Sequence, residues 1–237
     1  LASDIRIFDD LDAAARDAGG ALDRAAQPWL FDRLDWFRLV HDHTLEARPL
    51  VLRVRNGVGR CWLFLAARGR YAQALSNWYC LRYGPVVAGA DRSQATLPDL
   101  SRALRRARIS HVFLSPMAED DPLPAALKRR FWAVSRGQVN VSWRIDTSGM
   151  SFDEYWAGRS SQLRNTAARR ARKARLELVV HDRFDEQAWA DYESVYEASW
   201  KPEEGSPPLM RRFAVIEGAA GKLRLGLAYR DGRPVAA

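Results

Sequence analysis

Two stretches of this chain dictate a sheet before anything else is decided. In PLVLRVRNGVGRCWLFLAA (49–67), two β-branched and aromatic runs flank Asn56-Gly57, a dipeptide that accepts the positive φ of a tight hairpin turn. KLRLGLAYRDGRPVAA (222–237) repeats the device around Asp231-Gly232. Each hairpin is preceded by one strand-like run and two helical ones. DIRIF (4–8) leads to LDAAARDA and to LFDRLDWFRLVHDH (30–43), whose Leu30, Leu34, Phe37 and Leu39/Val40 share a face. LELVVHD (176–182) leads to DEQAWADYESVYEASW (185–200) and PPLMRRFAVIEGAA. The halves share an order without sharing residues.

After its hairpin the first half continues. AQALSNWYC (72–80) reads as a strand, Leu97 to Arg108 as a helix, SHVFLS (110–115) as a buried strand, LPAALKRRFW (123–132) as a helix and QVNVSWRID (138–146) as a strand. DTSGMS (146–151) supplies boundary turn chemistry. The expected class is α/β (α+β), with mixed, mostly antiparallel sheets flanked by helices, in domains 1–148 and 149–237. The second half stops at its hairpin and is expected to be an incomplete domain. Its last strand would need cover, for which a homodimer partner is one candidate.

Apolar residues make up 47% of the 237, which fits a folded chain with a sizeable core. No apolar run is long enough to span a bilayer and no signal peptide opens the chain, so the expectation is a cytoplasmic protein. Cys61 and Cys80 sit in aromatic, strand-like sequence and read as buried hydrophobes. The nine tryptophans read as mostly core residues. His41 and His43 flank Asp42 at a helix end, and neither they nor His111 and His181 have metal-ligand spacing, so no metal is expected.

The formal charge of +8 favours an anionic partner. It is concentrated in RSSQLRNTAARRARKARLELVV (159–180), where Arg159, Arg164, Arg169, Arg170, Arg172, Lys173 and Arg175 precede the first carboxylate at Glu177. Ser160 or Ser161 suits the helix cap. Leu163, Ala167, Ala171 and Ala174 form a thin apolar face expected to pack closely. The remaining faces carry guanidinium groups suited to bidentate grip of phosphate or carboxylate.

Strand, two helices, a three-strand meander, helix, strand, helix, strand resembles the GNAT acyltransferase order, and two units in tandem resemble the FemAB/CelD-like group. YWAGRSSQLRNTAARRARKARLEL (155–178) is similar to the basic helix entering the second domain of the CelD-related proteins. SWKPEEGSP (199–207) resembles their S-W-K segment, and YCLRYGPVV (79–87) resembles an R-G-P-V segment, with Tyr83 inserted between Arg82 and Gly84. The resemblance implies an N-acyltransferase using acetyl-CoA or another acyl-CoA as donor. The acceptor would be an amine on a small molecule or a saccharide, in polysaccharide or cell-envelope precursor synthesis. It implies that Arg164, Asn165, Arg169, Trp200 and Lys201 shape the substrate site. Glu203 and Glu204 are the candidate bases.

GNAT enzymes cradle the coenzyme A pyrophosphate in a Q/R-x-x-G-x-G/A loop after the fourth strand. LRYGPVVAGADRSQ stands there with Gly84 and Gly89 but without that spacing. Two alternatives follow: an aminoacyl-tRNA-dependent FemAB-like transferase, and a non-catalytic module that binds an anionic polymer through its Arg-rich helix. Nucleic acid is the less favoured partner.

Overall fold

The computed structural model describes residues 3–57, 59–89, 96–137, 139, 141, 143, 145–200 and 205–237. They form two compact units, Leu1–Ser135 with Gly205–Arg212 and Arg136–Glu204 with Phe213–Ala237. The protein is mixed α/β with mostly antiparallel pairing.

In the first unit, β1 (Asp4–Phe8), β2 (Arg48–Asn56), β3 (Gly59–Arg68) and β4 (Tyr71–Ala74) pair antiparallel in chain order, and β6 (His111–Phe113) adds parallel to β4. A short β5 (Val86–Ala88) also pairs with β3. Helix α1 (Leu11–Ala18) starts at Asp10, whose carboxylate accepts from the amides of Asp12 and Ala13 at 3.0 Å each. It ends at Gly19, whose φ of 58° closes the helix left-handed. Helix α2 (Leu34–Thr44) stacks Phe37 on Phe64 of β3, with ring centroids 3.9 Å apart. Trp62 and Phe64 thus point toward one helical layer, and by alternation Cys61, Leu63 and Leu65 point the other way. There α3 (Leu97–Arg106) packs on the sheet and buries Leu97, Leu100, Ala103 and Leu104, while α4 (Leu123–Lys128) packs on α3 and buries Leu123, Ala126 and Leu127. Residues 61–67 are buried without interruption because both faces of β3 are covered.

In the second unit, α5 (Phe152–Ala157) opens on a capping box between Ser151 and Glu154. Helix α6 (Ser161–Ala174) opens on Ser160, whose hydroxyl accepts from the Leu163 amide at 3.3 Å. β7 (Glu177–His181), β8 (Leu225–Arg230) and β9 (Arg233–Ala236) make an antiparallel sheet, with α7 (Glu186–Glu197) and α8 (Pro207–Ala219) between β7 and β8 in the chain. Asp231 and Gly232, at φ 51° and 74°, make the turn that the sequence predicts. The order and pairing β7–α7–α8–β8–β9 repeats β1–α1–α2–β2–β3.

Several expectations change. The helix expected over 30–43 divides, because Arg33 is extended (φ −90°, ψ 145°) between a 3-10 turn at Leu30–Asp32 and α2. The strand expected at 72–80 ends at Ala74, and the chain then turns, the Cys80 amide donating to the Asn77 carbonyl. SHVFLS is not a buried strand: among the described residues β6 is last in its sheet, and His111 and Phe113 are exposed. In the expected strand 138–146, residues 138, 140, 142 and 144 lie outside the described residues, and Val139, Val141 and Trp143 are exposed and outside any strand. The tryptophans are not mostly core. Trp36, Trp62 and Trp189 are buried, whereas Trp29, Trp78, Trp143 and Trp200 are exposed, since they fall in loops and on uncovered segments. Among the described residues, no helix is long and apolar enough to cross a membrane.

Candidate functional site

The Arg-rich helix forms where the sequence places it, but its thin apolar face is not packed. No residue of α6 is buried: Leu163 is exposed, and Ala167 and Ala174 are half-buried. Three alanines and one leucine offer too little apolar area to outweigh solvation of the charges around them. Arg164, Asn165 and Arg169 are exposed, and none of the basic residues of α6 makes an ion pair among the described residues. Arg172 Nε donates 3.3 Å back to the Ala168 carbonyl, so its side chain lies along the helix. The helix thus presents a concentrated, unneutralised positive surface to solvent.

Trp200 is 90% exposed, and Lys201, Glu203 and Glu204 lie outside the described residues. From Gly205 onward the first unit joins two stretches that the sequence singled out. The Ser206 amide donates to Tyr79 Oη at 3.1 Å, so GSP of SWKPEEGSP meets the first residue of YCLRYGPVV. Ser206 Oγ also donates to the His43 carbonyl at 3.3 Å and accepts from the Leu209 amide, capping α8. Gly205 is required here on two counts. Its φ is 70°, and a Cβ would fall 2.1 Å from Tyr79 Oη.

Beside His43 the first unit has an open groove of about 840 Å³, within the size range of small-molecule sites. His41, Asp42, His43, Glu46, Arg68 and Gln73 line it together with the exposed rings of Tyr71 and Phe113. Tyr71 stacks on His111 with ring centroids 4.6 Å apart and planes 16° from parallel. The sequence reading missed Tyr71 and Phe113, because composition does not show that the sheet face they share, on β4 and β6, is left uncovered. Alternation with Ala72 and Val112 was the available signal. His41 Nδ1 lies 3.0 Å from Asp42 Oδ1, and among the described residues no group of His, Cys, Asp and Glu could hold a metal ion.

Tyr83 is a core anchor: it is buried, its hydroxyl donates to the Phe64 carbonyl, and its amide donates to the Pro116 carbonyl at 2.7 Å. Burial pushes its phenol well above the ordinary value, which keeps the proton that this bond needs. Gly84 does not open onto an anion cradle. A Cβ there would lie 2.9 Å from Asp121 Oδ2, and that carboxylate would repel a diphosphate. Gly89 has a φ of 121°, and residues 90–95 beyond it lie outside the described residues. Burial pushes the Cys61 thiol up to about 12 and the Cys80 thiol up to about 11, so both are protonated and poor nucleophiles at neutral pH. Comparisons with protein-family models, curated proteins and solved structures found no match to this chain.

Proposed function

We propose that this chain belongs to an N-acyltransferase of GNAT type, transferring an acyl group from an acyl-CoA to an amine on a sugar or polysaccharide precursor. The meeting of Ser206 with Tyr79 carries the reading, since the two segments that resemble the FemAB/CelD-like group come from distant parts of the chain and converge beside a groove. The element order of the first unit and its partial repetition in the second support it. In such a reaction the amine attacks the thioester carbonyl, a base takes the amine proton, and the thiolate leaves. Glu203 or Glu204 would be the base. Tyr71 and Phe113 would offer flat apolar faces to a sugar ring, while Asp42, Glu46 and Gln73 would meet its hydroxyls. The donor's diphosphate does not fit at Gly84.

A second reading has its own observation. The exposed cations of α6, which make no ion pair among the described residues, would suit a module that holds an anionic polymer without catalysis. One experiment separates the two: incubation of the full chain with acetyl-CoA and glucosamine-type amines, with free thiol followed by absorbance. Release that falls about 10²- to 10⁴-fold in Glu203→Gln or Glu204→Gln supports the enzyme. Absent release, with polyanion binding that weakens steeply with salt and disappears when Arg164, Arg169 and Arg172 become Glu, supports the module.

A further inference from the structure

The first unit has a second concavity, about 350 Å³, lined by Asp4 and Arg6 of β1, Arg16 and Asp17 of α1, Arg53 and Arg55 of β2 and Arg60 of β3. Five guanidinium groups face two carboxylates. The sheet register explains the crowding, because Arg6 stands directly across from Arg53 and Arg55 directly across from Arg60. Like charges placed directly across a sheet repel, and this face has two such pairs side by side.

The first pair is neutralised. Arg53, 3% exposed, donates through Nε and Nη2 to Asp17 at 3.0 and 3.2 Å and through Nη1 to Asp4 Oδ2 at 2.7 Å. Burial opposes the charge of Arg53, but its bonds to Asp4 and Asp17 outweigh that and hold its pKa above the ordinary value. Arg6 takes Asp17 Oδ1 at 2.7 Å. Both oxygens of Asp17 and one of Asp4 are then committed. The second pair makes no ion pair among the described residues, and Arg55 shares only the longer-range field of Asp4, which Arg53 already holds. Arg60 Nη1 donates to the Ala18 carbonyl at 3.0 Å, and its guanidinium lies 5.3 Å from the Trp62 ring. Arg55 makes no hydrogen bond or ion pair with the described residues, and Arg16 reaches only Asp10, at 3.8 Å.

We propose that this recess is a binding site for a small phosphate-type oxyanion, held by Arg55 and Arg60 with Arg16 at its rim. The Arg53–Asp17–Asp4 network fixes the floor, so Arg55 and Arg60 are presented on a rigid sheet rather than on a loop. Guanidinium forks grip phosphate oxygens through paired N–H donors, and a dianion between Arg55 and Arg60 would turn their repulsion into a bridge. The recess lies at the low end of the size range for small-molecule sites, which suits a phosphate or diphosphate group better than a polymer. The site is distinct from the groove at Tyr71 and from α6, and it does not depend on the acyltransferase reading.

The test is calorimetric titration of the full chain with inorganic phosphate and with inorganic pyrophosphate, beside Arg55→Gln and Arg16→Gln. Both residues are exposed, so neither change should disturb folding. The expected result is saturable binding of at least one of the two anions, weakened about tenfold or more in Arg55→Gln and less in Arg16→Gln. The bound anion should also raise the unfolding temperature of the wild type and not of Arg55→Gln. Absent binding, equal binding by Arg55→Gln, or binding that follows Arg164, Arg169 and Arg172 instead would overturn the proposal.

Discussion

The sheet of β1, β2 and β3 and the sheet of β7, β8 and β9 have the same strand directions and the same intervening helices, yet β3 is buried on both faces, whereas the outer face of β7 is exposed among the described residues. In the first, α1 and α2 lie over the Trp62 and Phe64 face, and α3, backed by α4, packs on the other. In the second, Val179 pairs inward with the buried Leu227, and Tyr229 Oη donates to Asp191 of α7 at 2.7 Å. Leu178 and Val180 point outward, 74% and 65% exposed. A sheet covered on one face ordinarily alternates apolar with polar residues. β7 instead carries apolar residues on both faces, as β3 does. One hairpin plan therefore takes two burial states, and the elements packed on its far face decide which.

The largest break in this symmetry is expected at the stacked pair Phe37–Phe64. Phe64→Ala should destabilise the first unit by about 3–5 kcal/mol, since the fully enclosed site would be left with a cavity. Urea unfolding followed by tryptophan fluorescence measures it. A loss below about 1 kcal/mol would mean that the layer over Phe64 is much looser than its ring stacking implies.

The two units should behave alike at their helix starts. Asp10 caps α1, and Asp185 caps α7 by accepting from the Ala188 amide at 2.8 Å. Replacement of either by Ala should cost about 1 kcal/mol. The Asp10 cap is also pH-dependent. Hydrogen bonds from the Asp12 and Ala13 amides hold its carboxyl below the ordinary value. A depressed folded pKa adds stability above the unfolded pKa, and this is lost as the pH falls through the folded one. The difference between wild type and Asp10→Ala should therefore be constant near neutrality and shrink below about pH 4. A difference that grew on acidification would reverse the sign of this argument.

Strand and helix positions were largely legible from local chemistry. Asp231-Gly232 names its turn, whereas Asn56 ends β2 paired with Gly59 and of that dipeptide only Gly57, at φ 53°, enters the turn; Asp10, Ser160 and Asp185 stand where caps are needed. What was not legible depends on neighbours distant in the chain. SHVFLS looks buried by composition, but the sheet face that carries Tyr71, Gln73, His111 and Phe113 is uncovered among the described residues. Leu163 and the alanines of α6 have helical spacing, yet spacing says nothing of whether a surface is present to receive them. The same limit applies to the sites. The charge run in α6 is visible in any reading, whereas the Arg55–Arg60 pair exists only through the β2–β3 register. Tyr79 and Ser206, which stand 127 residues apart, meet only in the folded first unit.

The smallest stability effect, and the one that bears most directly on the contrast between the sheets, is expected on the outer face of β7. Leu178→Thr with Val180→Thr keeps β-branched or strand-compatible residues on the strand and removes apolar surface that is already in water. Stability should change by no more than about 0.5 kcal/mol, while binding of a hydrophobic dye and self-association at high concentration should fall. The same exchange at Leu63 and Leu65 on β3, both fully buried, would remove enclosed surface and should unfold the first unit. If the β7 double variant instead loses more than about 1 kcal/mol, its outer face is buried in solution. The two sheets would then share one burial state as well as one plan.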